Sequence, residues 1–293
     1  MRFNNRDDII RLTPLWQGER FPDGRPRVPD DIIRRMKHVV TEEAWAVLWN
    51  HNYHFQFEGN WTRLHPDRVL VGRAVTGVFV PQRPDLHGCL MEYGHTVEGR
   101  IGEMNSWVIE TLVEDDVIVI DLFGKVYEGT YSGANLSTAI ATRTKRGQVI
   151  YGGIRDAQQI FDIPNFATFC KGMDPTPIRN VTLVGLNTPC RVGEATCLPG
   201  DVVLGTLTGV LFIPPHLAGE VVEHSERTRM REMFSHQRLR EGIYNSSQMD
   251  TRWTESIEAD FEEWRESHSI EEYDHIDWNK PSDQSDNGGT LLG

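Results

Sequence analysis

Apolar positions along the chain change period repeatedly, and the changes divide it into alternating helices and strands. Ile32, Ile33 and Met36 recur at helical spacing behind Pro29, which predicts a helix from Asp30 to about His38. Thr41-Glu42-Glu43 has the form of an N-cap with acids in the first turn, so a second helix follows to about Asn50. The β-branched run Val69 to Val80 predicts strand, with Gly72 as a candidate break. Ser106 to Val113 reads as a short helix. Val117 to Ile120 is continuously apolar, as in a strand buried on both faces, and ends on Asp121. Leu136 to Arg146 suits a helix, Val149 to Tyr151 a strand, and Ala157 to Phe161 a helical or irregular stretch. Further strands are expected at Val181 to Val184, Asp201 to Leu204 and Val210 to Ile213, the last two joined by a hairpin-like turn at Thr206 to Gly209. A long charged helix from Leu217 to about Arg240 should end near Gly242, and Glu255 to Arg265 suits one more amphipathic helix.

This order implies an α/β domain over 61–242, preceded by an arm with helices over 1–60 and followed by an extension over 243–293. Residues 1 to 28 are rich in Arg, Pro, Gly and Asp and read as an irregular arm. The final stretch, NKPSDQSDNGGTLLG, is too poor in apolar residues to fold and is expected to be disordered. Trp253, Trp264 and Trp278 are expected to pack this extension onto a subunit.

Composition narrows the function classes. A net charge of -13 disfavours binding to a nucleic-acid backbone, which depends on clustered Lys and Arg, although a local basic patch such as Arg143 to Arg146 remains open. The opening MRFNNRDDII has no apolar segment of signal type, and no run approaches the roughly 18 apolar residues that cross a bilayer. A cytoplasmic protein with no membrane partner is therefore expected. Cys89, Cys170, Cys190 and Cys197 form no CxxC pair, so neither a zinc ribbon nor a disulfide framework is indicated.

Two segments carry chemistry. In GQVIYGGIRD, Gly147 to Asp156, a buried strand runs into two glycines and delivers Arg155 and Asp156 at its end. Strand ends in α/β proteins commonly face a cleft, and glycines there let a ligand approach the backbone. Arg155 can fork onto a carboxylate, while Asp156 is a hard oxygen donor for Mg2+ or Mn2+. The alternative is an Arg-Asp surface pair that ends a strand. In Ser132-Gly133-Ala134-Asn135-Leu136, small residues open a helix and offer unpaired N–H groups at its positive end, where a carboxylate or enolate oxygen would sit; an ordinary helix cap is the competing reading. Asp121 and Lys125 precede this segment in Asp121-Leu122-Phe123-Gly124-Lys125, and Lys125 is a candidate partner for a substrate carboxylate or phosphate.

Taken with VGRAVT (Val71 to Thr76), VIVID and PGDVVLGTLTGVLFIP, these segments resemble the RraA-like family in order and spacing, from Val71 to near Glu232. That family includes class II 4-hydroxy-4-methyl-2-oxoglutarate/4-carboxy-4-hydroxy-2-oxoadipate aldolases and regulators of ribonuclease E activity. The resemblance implies a layered β/β/α swivelling-type sandwich, here with helical N- and C-terminal extensions. It also implies a homotrimer or homohexamer with sites at subunit boundaries, and an Mg2+- or Mn2+-dependent retro-aldol cleavage of a 4-hydroxy-2-oxo acid to pyruvate. By resemblance, Arg155 binds the pyruvyl carboxylate or carbonyl, Asp156 ligates the metal, and the amides of Ala134, Asn135 and Leu136 hold the carboxylate.

The sequence departs from the pattern where it matters for chemistry. Ala134-Asn135 stands where the aldolases usually carry Gly-Glu or Gly-Asp, so an acidic group is missing and no base is evident. Thr206 stands where they usually carry Asp. Glu232 is the best match to an acidic residue that reaches a neighbouring subunit's site, a solvated helix-face Glu being the alternative. His95, between Glu92 and Glu98 in a glycine-bounded loop, is a further candidate acid or base. His51 and His54 lack a third ligand at metal spacing and read as surface residues. Two other functions stay open: a hydratase, dehydratase or decarboxylase acting on a sugar-acid-like 2-oxo acid, and a non-catalytic regulator of an RNA-processing enzyme.

Overall fold

The computed structural model describes residues 3–268 and residue 276. The expected disordered tail and Trp278 lie outside the described residues. In chain order the N-terminal region holds α1 (Arg6–Leu12), α2 (Asp30–Arg35), α3 (Thr41–Asn50) and the two short strands β1 (Phe57–Glu58) and β2 (Thr62–Arg63). There follow β3 (Leu70–Pro81), α4 (Pro84–Thr96), α5 (Met104–Ile109), β4 (Asp116–Asp121), β5 (Thr130–Ser132) and α6 (Ala134–Thr144). The chain continues through β6 (Gly147–Ile154), α7 (Ala157–Phe161), β7 (Ala167–Met173), β8 (Val181–Leu186), β9 (Cys190–Val192) and β10 (Ala195–Cys197). The closing elements are β11 (Val202–Gly205), β12 (Val210–Ile213), α8 (Ala218–Glu241), α9 (Ser246–Met249) and α10 (Glu255–Ser267).

One curled sheet runs in the order β1-β12-β11-β3-β4-β6-β7-β2, with β5 added to β6 and β8 to β3. Its centre, β3-β4-β6-β7, is parallel, and the connecting helices cover one face, as parallel crossovers require. All six residues of β4 are buried, in keeping with its unbroken apolar run. The outer face packs Ile118, Ile120, Ile150 and Ile154 against Trp107, Val108 and Ile140 of α5 and α6. The inner face packs Val117, Val119 and Val149 against Cys190, Val192, Ala195 and Cys197 of the β9-β10 hairpin. This is the layered α/β sandwich expected, with helical extensions at both ends.

Both extensions are held by burial. Ile33, Met36, Ala44 and Leu48 of the N-terminal helices pack with Val221 and Val222 of α8 over Leu211 and Ile213. At the other end Trp253, Ile257, Phe261 and Trp264 enclose Phe234 of α8. Trp253 and Trp264 thus pack the extension onto α8 of the same chain.

Several elements differ from the sequence expectation for identifiable reasons. Residues 70–81 form one strand, and Gly72 does not break it; a Cβ there would meet the Asp115 carbonyl at 2.6 Å, so the glycine admits the neighbouring chain. The segment around His95 is a 13-residue helix with Pro84 in its first turn, not a loop. Its Gly94 sits within the helix because a Cβ would lie 2.3 Å from Trp107 Cη2. The arm before residue 29 is less irregular than expected, since α1 is capped by Asn5, whose side chain accepts the Asp7 N–H.

The arm is also tied into the sheet by charge. Arg25 and Asp116 are both almost fully buried and make paired hydrogen bonds of 2.8 and 3.1 Å, while Arg25 Nε donates to Asp23 at 2.7 Å. Removing one member of such a pair leaves a charge uncompensated in the interior. Arg25→Met is expected to destabilise the protein by about 3–5 kcal/mol, and Arg25→Met with Asp116→Leu to recover most of that loss in urea unfolding.

Asp201, in the turn before β11, is 2% exposed, and among the described residues its carboxylate accepts only the Leu198 N–H, at 2.7 Å. Burial pushes its carboxyl up to about 8. The unfolded chain releases that proton near pH 4, whereas the native chain keeps it to about pH 8. Stability from this group is therefore complete at low pH and falls as pH rises through this window, by at most about 1.4 kcal/mol per unit. Asp201→Asn, which preserves the neutral form, should flatten the decline between pH 5 and 8. Identical pH slopes for the two proteins in urea titrations would refute this.

Candidate active site at the end of strand six

β6 is pinned between β4 and β7, and its last residues are drawn against β5 and the start of α6. Arg155 donates its N–H to the Ser132 carbonyl at 3.0 Å, which brings the two segments singled out in the sequence side by side. The next residue, Asp156, turns the chain with a φ of 54°. Left-handed backbone is uncommon for a residue with a side chain, and it rotates the Asp156 carboxylate back toward α6. There Asp156 Oδ2 accepts the Ala134 N–H at 3.0 Å and lies 4.0 Å from Arg155 Nε.

Gly133 makes this approach possible. A Cβ at that position would lie 2.3 Å from Asp156 Oδ2 and 3.0 Å from Arg155 Nε. α6 has no side-chain cap. Because Ala134 gives its amide to Asp156, the Asn135 and Leu136 N–H groups are the ones left without a hydrogen-bond partner among the described residues. They point with the positive end of an 11-residue helix. The Arg155 and Asp156 side chains are 43% and 39% exposed, so the junction is open to a ligand.

The other candidates lie elsewhere. Asp121 is buried at the end of β4 and accepts the Phe123 N–H at 2.7 Å; burial raises its carboxyl above the usual range, opposed by that hydrogen bond and by Arg191. Lys125 Nζ donates to the carbonyls of Glu128 and Arg179, at 2.9 and 3.1 Å, and so clamps its own loop. His95 stacks edge-on against Trp107 and contacts the Gly102 carbonyl through Nε2 at 3.2 Å. Glu232 lines a cleft between α3, α8 and the segment from Ser246 to Trp253, where no hydrogen bond or ion pair joins it to Arg155 or Asp156. His51 pairs with Glu220 at 2.9 Å, and His54 packs edge-on against Trp49. Thr206 Oγ1 is hydrogen-bonded to Thr41 Oγ1 at 2.5 Å.

The glycine pair of β6 serves a different purpose from the one its sequence suggested. A Cβ on Gly152 would meet Leu122 Cβ at 2.7 Å, and one on Gly153 would meet the Val126 carbonyl oxygen at 2.9 Å. The space beside the strand is filled by the chain's own loop from Leu122 to Gly129, not left for a ligand. The close approach that bears on the site is the one at Gly133.

Among the described residues no three His, Cys, Asp or Glu side chains gather as a metal cluster. Asp156 brings a carboxylate to the junction. Mg2+ and Mn2+ sites can rest on one or two carboxylates with water completing the shell, so the donor set fits a hydrated ion of this kind and not a zinc cage.

The Aldolase/RraA profile of the RraA-like family matches residues 46–212, which include every element of this junction. The chain belongs to the RraA-like family. An uncharacterized protein of Methanocaldococcus jannaschii is 25% identical over 165 residues, 55% of this chain and 78% of that protein. A candidate 4-hydroxy-4-methyl-2-oxoglutarate aldolase of Halalkalibacterium halodurans is 30% identical over 135 residues, 45% of this chain and 63% of its own. Among RraA-like structures, Streptomyces coelicolor RraAS2, an unusual member of the RNase ES inhibitor RraA protein family, superposes with a TM-score of 0.62 at 24% identity, over 72% of this chain and 100% of its own. The RraA-like family thus spans aldolases and inhibitors of RNA processing, and at this identity the structural likeness speaks to fold. No helix among the described residues is long and apolar enough to cross a membrane.

The steric role of Gly133 can be tested directly. Its φ of -113° is open to any residue, so Gly133→Ala adds no backbone strain and should cost no more than about 1.5 kcal/mol, the loss of the Ala134–Asp156 hydrogen bond. The added methyl must displace the Asp156 carboxylate. Mn2+ binding, followed by water proton relaxation, is expected to weaken at least about tenfold, the loss of roughly 1.4 kcal/mol; unchanged Mn2+ affinity would separate Gly133 from metal binding.

Proposed function

We propose that this chain is a divalent-metal-dependent lyase that cleaves a 4-hydroxy-2-oxo acid to pyruvate and a carbonyl product. The observation that supports it is the meeting, at one strand end, of an exposed guanidinium, an exposed carboxylate and two unpaired helix N–H groups. Arg155 presents a planar fork to the substrate carboxylate and fixes the 2-oxo group beside it. Removal of the C4 hydroxyl proton lets the C3–C4 bond break. The bonding pair then moves to C2–C3 and places negative charge on the C2 oxygen. The Asn135 and Leu136 amides and the positive end of α6 favour that charge as it develops. Protonation at C3 yields pyruvate. A Mg2+ or Mn2+ ion held by Asp156 would act as a Lewis acid toward the 2-oxo acid.

Asn135 favours a second reading within the same chemistry. An amide cannot take the C4 proton, but a 2-oxo acid that carries a second carboxylate on C3 needs no base to decarboxylate: the bond from C3 to that carboxylate breaks, carbon dioxide departs, and the bonding pair moves into C2–C3 to give the same enolate. A decarboxylase, or a hydratase or dehydratase of a sugar-acid-like substrate, uses the Arg155 fork and the α6 amides in the same roles. A non-catalytic regulator of RNA processing would have no use for either. We further infer a homotrimer or homohexamer with no nucleic-acid or membrane partner, in which Glu232 reaches the site of a neighbouring copy; the remaining candidates, Asp121, Lys125 and His95, are assigned no part in the reaction.

Oxalate, a planar mimic of the pyruvate enolate, should bind in the presence of Mg2+. Lys in place of Arg155 keeps the charge and loses the fork. Arg155→Lys is therefore expected to weaken oxalate binding by about ten- to a hundredfold, the equivalent of a charge-assisted hydrogen bond of roughly 1.5–3 kcal/mol. Asp156→Ala should remove the Mg2+ dependence of that binding. Calorimetry that gives equal oxalate affinities for the wild type and both variants would overturn the proposal.

A further inference from the structure

The parallel strands β3, β4, β6 and β7 all begin at the end of the sheet opposite the Arg155 junction. The eight residues of β6 separate Arg146 from Arg155, roughly 25–30 Å of extended chain. At that opposite pole lies a 450 Å3 pocket lined by Lys37, Arg68, Lys145, Arg146 and Asn165 on a floor of Val69, Leu70, Val71 and Ala167. Four of its nine lining residues are cations and none is an acid, in a chain whose net charge is -13. An acidic protein that gathers cations against an apolar floor focuses a positive field there.

The partners of these groups show how much charge is left over. Arg146 is answered by Asp115, from Nε at 2.9 Å and Nη2 at 2.6 Å. Arg68 spends Nη1 on the carbonyls of Ile163 and Phe166, and Lys145 Nζ donates to the Thr142 carbonyl; these carbonyls orient the cations but do not neutralise them. Lys37 meets no carboxylate within 4.0 Å among the described residues. Burial, and then the neighbouring Arg146, lower the Lys37 ammonium from its usual range, with Asp115 opposing them. The Asn165 side-chain amide makes no hydrogen bond to the described residues. Lys145 and Asn165 both line the pocket from left-handed backbone, with φ of 58° and 54°.

We propose that this pocket is a second ligand site, independent of the Arg155 junction, for a small phosphate-bearing anion of at least two negative charges. A monocarboxylate would leave most of the surplus charge unanswered, whereas a pyrophosphate group has the oxygens to meet Lys37, Lys145, the free guanidinium N–H groups and the Asn165 amide together. The concavity and apolar floor favour a compact ligand over a strand of nucleic acid, whose binding uses an extended stripe of cations with stacking aromatics.

Calorimetry with inorganic pyrophosphate on the full chain, at constant ionic strength, is the test. One saturable site is expected, weakened about tenfold by Lys37→Ala and about tenfold by Lys145→Ala, and unchanged in Arg155→Ala. Both lysines are exposed, so these variants should fold normally. Absence of saturable binding, or equal affinity in the lysine variants, would overturn the proposal. So would a loss in Arg155→Ala, which would place the anion at the other pole. Tighter binding of a ten-nucleotide single strand than of pyrophosphate, lost in the same lysine variants, would show a nucleic-acid surface instead.

Discussion

The structure depends on how closely backbone can approach backbone around the end of β6. The loop from Leu122 to Gly129 crosses Gly152 and Gly153, and its Val126 side chain lies against Gly172 of β7, where a Cβ would stand 3.1 Å from the Val126 methyl groups. Gly153 N–H donates to the carbonyls of Lys125 and Gly129 at 3.0 and 2.9 Å, so the contact is bonded as well as close. This crossing sets β5 beside β6 and leads the chain into Gly133 and α6. Side chains at 152 and 153 would lift the loop and carry Ser132 away from Arg155. The chemistry-bearing residues meet because residues without side chains precede them.

Parallel polarity follows from the same arrangement and gives the molecule two ends of unlike character. At the carboxyl ends of the strands a guanidinium and a carboxylate stand beside helix amides. At the amino ends four cations converge with a single paired acid behind them. Between the poles, the central strands are filled by Val and Ile on both faces, and the buried charges they admit are paired or hydrogen-bonded. The Arg25–Asp116 pair is the clearest case. It closes the arm over the start of β4, where an unpaired Asp116 would otherwise lie in the core.

Strongly periodic or continuously apolar segments were legible from sequence. β4 and β6, the β11-β12 hairpin and α8, with its left-handed cap at Gly242, stand near their expected positions because local pattern and tertiary burial agree there. The helix α4 was not legible. Its two glycines and two histidines give poor helix propensity, and only the packing of Gly94 on Trp107 explains one of them. The strand β7 and the β9-β10 hairpin were missed because ATFCKGM and CRVGEATC lack β-branched runs, and pairing within the sheet and on its inner face supplies what propensity does not. At the site, the sequence suggested that Arg155-Asp156 and the opening of α6 belong together. It did not disclose the left-handed turn at Asp156, or which of several glycines governs the approach, since both are properties of non-local contact.

What the junction lacks is enclosure. Arg155, Asp156 and Asn135 are all exposed, and water screens their fields. Helix amides and a guanidinium favour a developing oxyanion in proportion to the dryness of the site, because the same donors in water stabilise reactant and transition state alike. The Arg155 and Asp156 side chains stand open to solvent, and the acids Glu42, Glu43 and Glu232 line a separate cleft. A second copy of the chain laid over the junction would exclude water and could bring an acidic side chain to the place where Asn135 provides none. In the proposed oligomer, assembly would couple to chemistry through solvent access. Under this reading, the missing base and the open face of the protomer are two expressions of one incomplete site.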